Sequence, residues 1–265
     1  IYLPKDGYLQ NNLAQAYKKL GLLDKAKLAF KKAARYQPEF ADPLNHLGLL
    51  LMQEGEEVQA ETAFVTAISR NPNLANAHYN LGVLLEKLDR LAEAREHYQR
   101  AVNVKPDYIQ ALNNLGTVLD ALGQHKAAEK CYRKGILTSP NIPELYCSLG
   151  LCLRQQGRYV EARNEFLKAA DLAPNYFVNK WNLGFLQLAM AELHDGWSNY
   201  RYRHTVDRQI CLLPNKRLAT KLRGQTIKIA AEQGLGDQLF FSRFLLKLKN
   251  RGAVVKFQPD PKIKS

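Results

Sequence analysis

Two sets of residues in this chain have the types and spacing to do chemistry. The first is Gln233-Gly234-Leu235-Gly236-Asp237, which leads into an amphipathic stretch predicted to be helical from Gln238 to Lys249. Gly234 and Gly236 permit positive φ and let a ligand approach the backbone closely. Asp237 sits where an N-cap belongs, and backbone N–H groups at such a helix start can hold a phosphate. No third glycine follows at the spacing of a dinucleotide-binding loop. The second set is a column of short polar residues: Asn12, His46, Asn80, Asn114, Ser148 and Asn182. A carboxamide carries donor and acceptor together, so a ladder of them suits the N–H and C=O groups of an extended peptide. The same amides could instead hydrogen-bond within or between the elements that carry them. His46 has no second ligand at suitable spacing and reads as a polar residue of this column, and no metal site is expected.

The column is positioned by a repeat. Leu-Gly or Leu-Ala recurs at Leu13-Ala14, Leu47-Gly48, Leu81-Gly82, Leu115-Gly116, Leu149-Gly150 and Leu183-Gly184, a step of 34 residues. Ala26, Ala60, Ala94, Ala128, Ala162 and Gly196 keep the step, each followed four later by Phe30, Phe64, Tyr98, Tyr132, Phe166 or Tyr200. Pro38, Pro72, Pro106, Pro140 and Pro174 close the units. In the unit from Ile109, residues Leu112, Leu115, Gly116, Leu119 and Leu122 fall on one helical face, Gly123 breaks the helix, and Ala128, Tyr132 and Gly135 mark a second. Neither helix can hide its apolar stripe alone, so units must stack. Asn73, Asp107, Asn141 and Asn175 are predicted to cap the following helices. Counted at about 100° per residue, the polar column lies away from the packing stripe. Asparagine is a poor mid-helix residue, and its recurrence there points to use. Tyr8, Gln15, Asn76, Val83, Gln110 and Thr117 share that face.

This pattern matches the tetratricopeptide repeat of Leu-Gly, Ala-x3-aromatic and Pro at period 34. The expected fold is mainly α: a right-handed solenoid of helix pairs followed by a short, incomplete βαβ (Rossmann-like) segment. Residues 1–6 read as the tail of a preceding repeat, because Pro4 falls 34 residues before Pro38, and the chain is expected to begin inside a longer array. Six units follow over 7–204: 7–40, 41–74, 75–108, 109–142, 143–176 and a degenerate 177–204, where Trp181 and Trp197 are expected to plug the end. A basic connector spans 205–225, and 226–265 reads as strand Thr226–Ala231, glycine loop, helix and strand Ala253–Phe257.

The charge divides the same way. Residues 1–196 hold 23 Lys and Arg against 21 Asp and Glu, whereas 197–265 hold 15 against 4. No aromatic-interleaved basic stripe accompanies that excess, so nucleic acid is not an expected partner, and a domain missing its acids is the preferred reading. No apolar run approaches the roughly 20 residues of a membrane span. Cys131, Cys147, Cys152 and Cys211 lack C-x-x-C or Cys/His spacing, so reduced thiols in a cytoplasmic protein are expected.

Two resemblances extend the reading. The polar column is similar to the asparagine ladder of O-linked N-acetylglucosamine transferases, in which a tetratricopeptide superhelix holds acceptor polypeptide by its backbone; His46 and Ser148 depart from it. Gly196-Trp197-Ser-Asn-Tyr200-Arg-Tyr-Arg203, the basic connector and Ala231-Glu-Gln-Gly-Leu-Gly-Asp237 resemble bacterial tetratricopeptide proteins whose carboxyl half is similar to a GT-B glycosyltransferase. The loop is also similar to the Gly-Asp loop of heptosyltransferases. That resemblance implies Asp237 as general base, Gln233, Gly234 and Gly236 as a sugar-nucleotide loop, and a sugar nucleotide as donor substrate with no other cofactor. The donor-binding domain of such enzymes is not contained in 226–265, so turnover is not expected of this chain by itself. The resulting expectation is the acceptor-recognition arm of a protein glycosyltransferase, binding an extended polypeptide. The alternative is a non-enzymatic adaptor for complex assembly.

Overall fold

The computed structural model describes residues 5–200, 202, 226–230 and 254–258. The chain forms two compact units, Ile1–Ile210 and Cys211–Ser265, each described here by itself.

The first unit is a run of helix pairs: α1 (Gly7–Lys19) with α2 (Leu23–Tyr36), α3 (Asp42–Glu54) with α4 (Glu57–Arg70), α5 (Ala75–Lys87) with α6 (Leu91–Val104), α7 (Ile109–Ala121) with α8 (His125–Thr138), α9 (Pro143–Gln155) with α10 (Tyr159–Leu172), and α11 (Phe177–Ala189) with α12 (Leu193–Tyr200). Each helix packs on its sequence neighbours, so a continuous core runs from Ala14 to Leu186 through Phe30, Leu50, Phe64, Leu84, Tyr98, Leu115, Tyr132 and Phe166. The first helices of successive pairs also meet directly, α3 with α5, α7 with α9 and α9 with α11, whereas second helices have no comparable contact. Axes crowd on the inside of a curve, so the first helices line the inner side.

The recurrent small residues allow this approach. A Cβ added at Gly48 would stand 2.6 Å from Phe64, at Gly82 2.7 Å from Tyr98, at Gly116 2.5 Å from Tyr132 and at Gly150 2.7 Å from Phe166, each an overlap with a buried ring. At Gly184 the obstacle is the backbone of Asn199 and Tyr200 instead, so α12 lies closer to its partner than the other second helices do. Within each pair the chain reverses through one left-handed residue: Gly21, Gly55, Gly123 and Gly157, with Asp89 and Ala191 bearing side chains at the same place.

The predicted caps are not formed. The residues that precede α5, α7, α9 and α11 are Leu74, Tyr108, Ile142 and Tyr176, none with a side-chain cap bond; only Asp6, accepting from the N–H groups of Tyr8 and Leu9, caps a helix through its side chain among the described residues. The reason lies in the preceding turn. Leu74 N–H donates to Asn71 C=O, Tyr108 to Lys105 and Tyr176 to Ala173. These close a β-turn with Pro72, Pro106 or Pro174 at its second position and Asn73, Asp107 or Asn175 at its third, one residue short of the cap.

In the second unit β1 (Thr226–Ala230) pairs in parallel with β2 (Val254–Gln258), from Thr226 opposite Val254 to Ala230 opposite Gln258. A parallel pair requires a crossover between its strands. The connector, Cys211, the loop residues Gln233, Gly234, Gly236 and Asp237, and the helix predicted over 238–249 lie outside the described residues. Among the described residues no helix is long and apolar enough to cross a membrane.

Candidate functional site

The polar column runs down the first helices, yet the structure puts much of it to work between repeats. Asn80 Nδ2 donates to Asn45 Oδ1 at 2.8 Å, and Asn182, only 8% exposed, points Nδ2 at Cys147 Sγ at 3.7 Å. Asn114, one repeat on from Asn80, donates from Nδ2 to the Tyr98 hydroxyl at 3.3 Å. Asn45 and Cys147 each lie 35 residues before their partner, so Asn80 and Asn182 reach back to the residue just ahead of the column in the previous repeat, while Asn114 reaches the second helix of the previous repeat. The premise that packing leaves this face unexplained therefore fails for Asn80, Asn114 and Asn182. The period locates a residue around its own helix axis, and this contact arises from the stagger of one repeat on the next.

The remaining members stand differently. Asn12 is exposed and Ser148 half-buried, and neither has a side-chain hydrogen bond among the described residues. His46 lays its ring 5.4 Å from that of Phe30, and its buried Nδ1 has no partner among the described residues. Burial lowers its pKa, only partly opposed by Asp42, so the ring is neutral. Asn11 Oδ1 and Asn113 Oδ1, which precede His46 and Ser148 by the same 35 residues, are likewise buried without partners. Among the described residues the seam is thus hydrogen-bonded at Asn45–Asn80 and Cys147–Asn182 and unfilled at Asn11 and Asn113.

Hydroxyls beneath the column are fixed. Tyr98 donates to Glu86 at 2.7 Å while accepting from Asn114, and burial followed by the Glu86 contact raises its pKa. Burial raises Tyr79 and Tyr108 in the same way, and the two rings lie 5.0 Å apart. None of these groups is activated toward proton transfer; they are neutral hydrogen-bonding side chains. Toward solvent the face offers Thr117, Gln110, Asn76 and Tyr8, the last with its ring tilted at 41° to that of Phe40, 4.5 Å away. The described residues include no group of three His, Cys, Asp or Glu placed to hold a metal ion.

Tetratricopeptide repeat family models match residues 8–40, 73–136 and 113–177. The chain is a tetratricopeptide-repeat protein. No curated protein matches it in sequence. Among solved structures, this tetratricopeptide array resembles MamA at 28% identity and a TM-score of 0.57, covering 63% of this chain and 91% of that one. PilF of Pseudomonas aeruginosa, at 19% identity and a TM-score of 0.66, covers 77% and 93%. YrrB, described as a TPR protein with an unusual peptide-binding site, gives 22% identity and a TM-score of 0.58 over 68% and 93%. At 19% and 22%, the last two speak for the fold alone.

In this tetratricopeptide protein, sequence reasoning missed the series just ahead of the column, from which Asn45 and Cys147 receive Asn80 and Asn182. Asn11, Asn45, Tyr79, Asn113, Cys147 and Trp181 form a second series at the same step, and four of them carry a side-chain amide or hydroxyl. That recurrence was the available signal.

Proposed function

We propose that the first-helix face binds an extended polypeptide, and that the protein is a recognition scaffold. The observation that carries this reading is the column itself. It lies on the side where first helices converge, and its amides use Nδ2 for the inter-repeat bonds at Asn80 and Asn114, so Oδ1 of each is left to accept from a peptide N–H. The fold shared with a protein described as having a peptide-binding site supports it. Inner solenoid surfaces generally serve this purpose.

The finer proposal is that the scaffold delivers an acceptor polypeptide to a glycosyltransferase domain, with Asp237 as base and Gln233, Gly234 and Gly236 at the sugar nucleotide. The resemblance of residues 196–257 supports it, as does the parallel pairing of β1 with β2. The adaptor alternative keeps the groove and dispenses with the sugar.

Two measurements separate these layers. For the scaffold, Asn12→Ala is the informative change, since Asn12 is exposed and makes no side-chain hydrogen bond among the described residues. It should weaken binding of a display-selected peptide without moving Tm; unchanged affinity would argue against the column as the contact surface. For the transferase, sugar-nucleotide binding by the full-length protein should persist in Asp237→Asn while transfer is lost. Absence of any sugar-nucleotide binding would leave the adaptor.

A further inference from the structure

The outer side of the array carries its own ladder, made of charge. In three second helices one residue faces the residue just ahead of the next second helix, 29 positions on: Glu61 with Arg90 at 2.8 Å, Glu129 with Arg158 at 2.6 Å, and Arg163 with Glu192. Lys27, one repeat earlier, finds Glu54 at 2.7 Å. Along the array the series Lys27, Glu61, Arg95, Glu129, Arg163 alternates in sign. Arg95 therefore calls for a carboxylate at position 124, and the residue there is Gln124. The ion pair that Arg95 makes among the described residues is with its own neighbour Glu96, at a loose 3.8 Å.

Packing does not close this gap. A cavity of about 790 Å³ lies there between α6 and α8, lined among others by Arg95, His97, Arg100, Gln124, Lys130 and Cys131. Arg100 and Lys130 enter no ion pair among the described residues. Glu96 is the one carboxylate in the lining, against those three cations. The inner wall is rigid: His78, 5% exposed, holds the Pro72 carbonyl through Nε2 at 3.1 Å and meets His97 Nδ1 through its own Nδ1 at 3.1 Å. If His78 gives its proton to Pro72, its Nδ1 must accept from His97, which leaves Nε2 of His97 as that ring's remaining polar atom.

We propose that this cavity binds a small, multiply charged oxyanion, a polycarboxylate or a phosphorylated compound, with one acid group opposite Arg95 where the ladder lacks a partner. The volume falls in the range of small-molecule sites, roughly 300–1,000 Å³. A guanidinium presents two parallel N–H donors to a carboxylate or phosphate, the recognition that Arg90 and Arg158 make internally. Arg100 and Lys130 supply charge for a second acid group. This site is separate from the polypeptide face and does not depend on that reading.

The test is calorimetric titration of the chain with citrate and with pyrophosphate at matched ionic strength. The wild type should bind at least one of them, and which one distinguishes a carboxylate from a phosphate ligand. Gln124→Glu restores the missing rung, so it should weaken binding by about tenfold or more while raising Tm. The double variant Arg100→Gln/Lys130→Gln, at two exposed positions, should lose binding without a gain in Tm. Lys31→Gln, an exposed change on α2, should leave affinity unchanged. Failure of both anions to bind, retention of binding in Gln124→Glu or in the double variant, or an equal loss in Lys31→Gln would each overturn the proposal.

Discussion

Asn80 donates from Nδ2 to Oδ1 of Asn45, 2.8 Å away in the preceding repeat. This bond joins the residue type that recurs down the first helices to the one just ahead of it, and it gives the asparagine column a structural duty. Asn80→Ala leaves Asn45 Oδ1 without its donor in a partly buried seam. The expected loss is about 1–3 kcal/mol, the usual cost of an orphaned buried polar group. Chemical denaturation should register it, and the double variant with Asn45→Ala should lose less than the sum of the two single changes.

The glycine in each Leu-Gly pair should tolerate nothing larger. Gly116→Ala places a Cβ 2.5 Å from the Tyr132 ring, which is held in the core. Overpacking of that kind costs about 1–3 kcal/mol. Tyr132→Leu combined with Gly116→Ala should recover part of the lost Tm, because the ring is the obstacle.

The thiols should differ in reactivity. Burial, followed by the Asp120 contact, pushes the Cys152 thiol up to about 12, and burial also raises Cys147. Cys131 is raised for the same reason but is only partly covered. Alkylation near pH 8 with mass-spectrometric readout should therefore modify Cys131 before Cys147 and Cys152. Simultaneous labelling of all three would contradict the packing described.

Acid should weaken the array through its histidines. Burial lowers the pKa of His46, His78 and His97 below the ordinary 6.5, with Asp42 opposing at His46 and Glu96, Glu93 and Glu61 opposing at His97. Lys18 adds to the lowering at His46, Arg100 at His78, and His78 itself at His97. Below 6.5 the unfolded chain then binds more protons than the folded one, so stability is full above that value and declines as pH falls toward the folded-state values. Tm measured from pH 7 to 5 should drop, and His78→Gln/His97→Gln should flatten the slope.

The period alone made most of the helical layout legible. Gly7, Ala75, Ile109, Pro143 and Phe177 begin their helices on the phase set by the Leu-Gly pairs. The buried aromatics Phe30, Phe64, Tyr98, Tyr132 and Phe166 stand where small residues four earlier implied. What the period hid were relations between repeats. Asn182 looked solvent-facing by its angle on one helix, yet stagger carries its amide onto Cys147. Asn73, Asp107 and Asn175 looked like caps because of their type, but the proline turn ahead of them moved the helix start one residue on. The gap at Gln124 became meaningful only once Glu61–Arg90 and Glu129–Arg158 were seen to be contacts.

The measurement that bears most directly on the central reading is site-specific photocrosslinking to a display-selected unstructured peptide. A photoreactive residue at Thr117 or Gln110, exposed on α7, should capture the peptide; one at Leu137, 85% exposed on α8, should not. Capture at Leu137 with none at Thr117 or Gln110 would place the binding surface on the second helices and contradict the account.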